Sequence, residues 1–172
     1  MPPRGSIILV DTVAIKGAHD LGCWNSLRKA YELHSVKKCI EEATRSNKHG
    51  CQLVERREAE LAAELKLGAV SPLMRATVTL RIGNRSDLDE GERDLLAYAL
   101  TLPARVWWLC GPDNGTVNAL QILGLLERMV TLEALARGCG HPLNAPPRHY
   151  TEVWLSERRT RFLLDGGLGQ EK

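Results

Sequence analysis

Aromatic side chains are scarce in this sequence, at 5% of 172 residues. That leaves few rings on which single-stranded bases could stack. Charge of one sign is not in excess either. Lys and Arg number 23 against 21 Asp and Glu, a formal net charge of +2. That balance alone does not argue for a polyanionic partner, and any basic surface has to come from clustering. No stretch approaches the ~20 apolar residues of a membrane span. The opening MPPRGSIILVDT has too short an apolar run for a signal peptide. A soluble, cytoplasmic protein without a membrane partner is expected. The five cysteines, Cys23, Cys39, Cys51, Cys110 and Cys139, are odd in number and contain no CxxC spacing. They exclude a disulfide framework and a zinc site of that type, and read as reduced, buried thiols. There is no GxSxG elbow, no GxxxxGK[ST] phosphate loop and no HExxH pair, and the histidines are scattered.

What is present is an ordinary core-forming composition, 44% hydrophobic and 26% charged. Ser6 to Val10, SIILV, and Arg105 to Cys110, RVWWLC, are continuous apolar runs of the kind buried on both faces of a parallel sheet. Helical patterns lie between and after them. Asn25 reads as the cap of a helix through WNSLRKAYEL, and Ser35 as the cap of VKKCIEEATR, with Val36, Cys39, Ile40 and Ala43 as the latter's stripe. Cys51 to Val54 reads as a short strand or a helix entry, and Arg57 to Leu67 as a helix ended by Gly68. Ser71-Pro72 opens a helix to about Ile82. Asp87 to Glu92 leads into ERDLLAYAL, and TVNALQIL follows the second strand. Strands alternating with helices predict an α/β fold, a central parallel sheet flanked by helices in three layers. Gly138, Gly140, Pro142, Pro146 and Pro147 mark a change of character. The expected organisation is a domain over residues 1–137 and a linker with C-terminal extension over 138–172, the latter containing the amphipathic YTEVWLSERRTRFLL.

Both strands end at an acid, Asp11 in one case and Asp113 of Gly-Pro-Asp-Asn-Gly in the other. Ligands of open parallel sheets bind at the carboxyl ends of the strands, where this reading puts both. Glu41 and Glu42 sit on an early helix, and Glu92 and Asp94 begin a later one. Such a set suits Mg2+ or Mn2+, hard cations that take oxygen ligands and promote phosphodiester hydrolysis. Each acid also has a plain alternative: Asp11 as a helix cap, Glu41 and Glu42 as solvated acids, Glu92 and Asp94 as helix N-terminal charges, Asp113 as a turn residue.

In these positions the chain resembles the PIN domain, a Rossmann-like, metal-dependent ribonuclease fold frequent as the toxin of toxin–antitoxin pairs. IILVDT resembles the opening strand with its first acid, VKKCIEEAT the helix with the second, LDEGERDLLAYAL the helix with the third, and WLCGPDNGTVNAL the late strand with the fourth. The resemblance implies an endoribonuclease with Asp11, Glu42, Glu92 and Asp113 as metal ligands and catalytic acids. Asp94 is the alternative to Glu92, and Glu41, Asn114 and Thr116 are accessory candidates. It implies Mg2+ or Mn2+ as cofactor, RNA as substrate, and an antitoxin protein and a second copy as candidate partners. Pro112 stands where the family often has another acid or a Thr, and AIKGAHDLGCW is longer and more polar than the usual first helix. His19 and Asp20 are expected at the mouth of the site. Arg28, Lys29, Lys37, Lys38, Arg45, Lys48, Arg56, Arg57, Arg158, Arg159 and Arg161 are either solvated or contact phosphates. The rival reading is a non-catalytic Rossmann-like interaction module. A phosphatase using Asp11 as nucleophile ranks lower, because DTVAI supplies only the first Asp of the DxDx[TV] pattern.

Overall fold

The apolar runs at Ile7–Val10 (β1) and Trp107–Cys110 (β4) pair with each other in parallel, Val10 opposite Cys110. The structure is a computed structural model that describes residues 1–45, 58–83, 87–103 and 106–166. Two further strands, Glu32–Val36 (β2) and Lys66–Gly68 (β3), complete a four-stranded, all-parallel sheet in the order β3-β2-β1-β4. From β1 the chain adds β2 and β3 on one side and then returns to add β4 on the other. The order therefore reverses between β1 and β4, and their carboxyl ends flank the crevice that such a reversal opens.

Alternation along β1 divides the core in two. Ile8 and Val10 face a cluster built with α1 (Thr12–Asp20), α2 (Trp24–Ala30) and α8 (Leu132–Gly138). Leu9 faces a second cluster built with α5 (Pro72–Ile82), α6 (Glu90–Ala99) and α7 (Asn114–Ile122). Helices thus cover both faces of the sheet, as two-sided burial of a parallel sheet requires. The helix α3 (Lys37–Arg45) contributes Ile40 and Ala43 to the first cluster and Cys39 to the second. The extension after Gly138 docks on the same body. The Tyr150 hydroxyl donates to the Val13 carbonyl at 3.1 Å, and Trp154 and Leu155 of α9 (Glu152–Gly166) are buried in the second cluster. No helix of the described residues is long and apolar enough to cross a membrane.

Two expectations are corrected here. The stretch Glu32–Val36 is a strand, not the end of one helix and the cap of the next. Tyr31 closes α2 by donating its N–H to the Leu27 carbonyl and then turns extended, and α2 itself starts at Trp24 without a side-chain cap from Asn25. Ser35 does not cap α3: its hydroxyl is buried and donates to the Val10 carbonyl at 2.7 Å. His34 is buried as well, with one ring nitrogen 2.8 Å from the Tyr98 hydroxyl and the other 2.9 Å from Glu32. Polar residues satisfied by distant partners conceal this strand from a search for apolar runs. The second correction concerns residues 57–67. Among the described residues the helix α4 covers Glu58–Ala62, and Lys66–Gly68 is drawn into pairing with β2. Gly68 lies against the Tyr98 ring, where a side chain would collide. Tertiary pairing here overrides an Ala-, Glu- and Leu-rich helix preference. The segment Cys51 to Val54, and with it Lys48, Arg56, Arg57 and Arg105, lies outside the described residues.

Candidate metal centre

Asp11 extends β1 by one residue, its N–H donating to the Cys110 carbonyl at 3.3 Å, and then caps α1. The carboxylate Oδ1 accepts from the Ala14 N–H at 2.6 Å. Oδ2 is buried without a hydrogen-bond partner. The residue is 2% exposed, and burial holds its carboxyl well above the usual carboxylate range. The Ala14 N–H partly offsets this, while Asp113 and Asp89 add to it.

Asp113 repeats the construction at the end of β4. It caps α7 with Oδ1, which accepts from the Thr116 N–H at 2.7 Å. Its Oδ2 is likewise buried and without a partner. An N-cap needs only one carboxylate oxygen. Capping therefore accounts for half of each carboxylate and leaves the other half unexplained.

Glu92 arrives from the first turn of α6. It is held by a capping box: Asp89 Oδ1 accepts from the Glu92 N–H at 2.8 Å, and Glu92 Oε2 accepts from the Asp89 N–H at 3.1 Å. Burial first, then the charges of Asp113, Asp89 and Asp11, push the Glu92 carboxyl up to about 9. One oxygen from each of Asp11, Glu92 and Asp113 lies within 4.8 Å of the other two. Gly111 keeps the approach open, because a Cβ there would stand 3.0 Å from Asp11 Oδ2 and 3.2 Å from the Thr116 methyl.

Three carboxylates converging in a half-dehydrated crevice repel one another unless they hold protons or a cation. The converging groups offer only oxygens, and two of the three carboxylates carry a buried, unpartnered oxygen, a set that fits a hard divalent ion such as Mg2+ or Mn2+. The neighbouring thiols do not compete. Burial and the charge of Asp11 push Cys39 and Cys110 above their ordinary range, which keeps them protonated.

Other sequence candidates fall around this cluster or away from it. Glu42 reaches the rim: Oε2 accepts from the Thr12 hydroxyl at 3.1 Å, and Gly91 leaves it room. Its carboxyl is raised by burial and then by Asp89. Glu41 turns instead to Lys37 at 3.6 Å and Arg45 at 3.8 Å. Asp94 is taken up by Arg75 through two bonds of 2.5 and 2.7 Å and does not join the cluster. Two residues along a helix turn a side chain by about 200°, which directs Asp94 away from the face that carries Glu92. Asn114 is exposed on the first turn of α7, and Thr116 is buried beside Asp113. His19 and Asp20 do not line the mouth. They lie at the far end of α1, with His19 stacked on Trp24 at 4.6 Å between ring centroids. Trp107 is buried in the second core, in keeping with a packing role.

Asp89 is the member that sequence reasoning passed over. Its charge raises Asp11, Glu92 and Glu42 alike. The signal was the spacing Asp89-x-x-Glu92, a capping-box pattern hidden in an acidic run that also suits the helix dipole. Comparison with known proteins adds no relative: no family model, no curated protein and no solved structure matches the chain.

Proposed function

We propose that this chain is a metal-dependent endoribonuclease of PIN-like, Rossmann-related architecture, with Asp11, Glu92 and Asp113 as the ligands of Mg2+ or Mn2+. The observation that carries the reading is the convergence of the Asp11, Glu92 and Asp113 carboxylates where the strand order reverses, with Oδ2 of both aspartates buried and unpartnered. A divalent ion held there supplies a Lewis acid that neutralises phosphodiester charge and strengthens water as a nucleophile. The chain's own residues do the positioning. The two caps fix Asp11 and Asp113 to the ends of adjacent strands, and the capping box fixes Glu92. Glu42, anchored by Thr12, stands at the rim, able to orient a water or a substrate oxygen. RNA as substrate, an antitoxin protein as partner, self-association and a cytoplasmic toxin role follow from the sequence resemblance and form the outer part of the proposal.

The rival reading, a non-catalytic interaction module, draws on the same caps, which such a protein would also keep. It leaves the orphaned Oδ2 atoms without a purpose. One experiment separates the two. The folded chain is titrated with Mn2+, then incubated with a single-stranded RNA oligonucleotide in Mn2+ or EDTA. We expect saturable Mn2+ binding and EDTA-sensitive cleavage. Loss of outer partners of a metal site costs about 10–100-fold, so Asp11→Asn, which removes a ligand, should cost at least that. Cleavage unchanged in Asp11→Asn, or no Mn2+ binding by the native chain, overturns the proposal.

A further inference from the structure

A cavity of about 760 Å3 lies on the far side of β4 from β1, between the 3-10 turn Leu126–Arg128, α8 and α9. It shares no lining residue with the carboxylate cluster. Its volume is that of a small-molecule site, about 300–1,000 Å3. The walls are mostly apolar, with Trp108, Met129, Val130 and Leu155 among them.

One stripe of α9 borders this space, with Leu155 shared between the cavity wall and the second core cluster. Glu152, Leu155, Ser156 and Arg159 line it, and these fall at the spacing of one helix face. The polar groups of that stripe are not equivalent. Glu152 is neutralised by Arg137, and Glu127, on the opposite wall, pairs with Arg128 at 3.6 Å. Arg159 has no carboxylate partner among the described residues. One nitrogen, Nη2, donates to the Leu126 and Met129 carbonyls at 3.3 and 2.9 Å, which fixes the side chain to the cavity wall. Burial disfavours its charge, and Glu127 offsets this only in part. Ser156, one turn earlier, has a hydroxyl with no hydrogen-bond partner among the described residues. An apolar chamber with a fixed, partly dehydrated cation and a free hydroxyl at one wall is complementary to an apolar body with an anionic head.

We propose that this cavity binds a small amphipathic carboxylate, with its apolar body against Trp108, Met129 and Val130 and its carboxylate on Arg159 and Ser156. Guanidinium and hydroxyl donate to the carboxylate oxygens, so the head group and not the apolar area decides selectivity. The site is independent of the metal centre, and its occupancy is read without any activity assay.

Octanoate and its neutral counterpart 1-octanol are the probes, titrated calorimetrically into the full chain. We expect octanoate to bind with one-to-one stoichiometry and octanol about tenfold or more weakly, the factor that a charge-assisted hydrogen bond supplies. Arg159→Gln should lower octanoate affinity to that of octanol and leave octanol unchanged. Ser156→Trp, at an exposed position that fills the chamber, should abolish both. If Arg159→Gln fails to fold by circular dichroism, the octanoate–octanol ratio on the native chain and the Ser156→Trp result decide. Equal binding of the two probes, no octanoate binding at millimolar concentration, or unchanged binding in Ser156→Trp overturns the proposal. So does a concentration-dependent dimer that octanoate dissociates, since the cavity would then belong to a contact between copies.

Discussion

At the scale of single residues, the informative unit is the carboxylate oxygen. Asp11 spends Oδ1 on the Ala14 N–H and leaves Oδ2 buried with nothing to bind. An Asn at position 11 keeps a capping oxygen, because Asn and Asp cap about equally well. It also replaces the orphaned acceptor by a donor facing Asp113 and Glu92. Relief of one buried, unsatisfied group is worth about 1 kcal/mol or more, or roughly 2–4 °C for a chain of this size. Asp11→Asn is therefore expected to melt higher than the native chain in EDTA and to lose the stabilisation that Mn2+ gives the native chain. Scanning calorimetry with and without Mn2+ checks it, and a melting point lower than native in EDTA refutes it. Glu92 makes a complementary prediction with pH. Its folded carboxyl is raised to about 9, against about 4.3 in an unfolded chain. Between these values the folded state holds a proton that the unfolded state has released, so metal-free stability is full below the lower value and falls as pH rises through the upper one. Mn2+ displaces that proton, so its affinity should rise over the same window. Denaturant midpoints in EDTA at several pH values test the slope, and Glu92→Gln should flatten it. A metal-free stability that rises with pH in this range defeats the argument. Asp11 and Asp113 were legible in the sequence because a strand end is a local feature. That Glu92 and not Asp94 converges with them was not, since it depends on helix phase and on Arg75, which arrives from another helix.

At the scale of elements, the N-terminus of α6 orients the Glu92 carboxylate as well as starting a helix. The reciprocal bonds between Asp89 and Glu92 fix the Glu92 side chain against the cluster. Asp89→Ala removes the cap and is expected to cost about 1 kcal/mol of stability. It should also weaken Mn2+ binding by about 10–100-fold, as loss of an outer partner does. Asp89→Asn keeps the capping acceptor and should retain the stability and most of the affinity. Isothermal titration with Mn2+ on both variants is the measurement. Equal affinity for native and Asp89→Ala protein would reduce the box to a plain helix cap. The elements themselves were unevenly readable. Ser71-Pro72 announces α5 through cap chemistry contained in four residues, and the structure has it there. The strand β2 is unreadable locally because what makes Glu32–Val36 a strand is supplied by Val10, Tyr98 and Lys66, from three other segments.

At the scale of the whole molecule, the two apolar runs predicted a parallel sheet, and the acids at their ends predicted where a site would lie. What local sequence does not contain is that β1 and β4 are neighbours, and this adjacency brings Asp11 within reach of Asp113. The C-terminal extension is the other global feature. Gly and Pro residues after Gly138 mark a linker, yet the segment beyond it packs into both cores. Tyr150 lies against Gly17, where any side chain would collide with its ring, and Trp154 and Leu155 pack in the second cluster. Burying a large apolar side chain is worth about 1.5–3 kcal/mol. Three of them together supply roughly 5–9 kcal/mol, which is comparable with the whole stability of a typical domain, about 5–15 kcal/mol. A chain ending at Gly138 would leave both clusters open and is expected to be largely unfolded, with circular dichroism and amide dispersion showing no cooperative melt. A chain ending at Gly166 keeps all three side chains and should melt close to the full-length protein. A cooperative, near-native transition in the shorter chain would show instead that residues 1–137 stand alone, with the extension as a removable appendage.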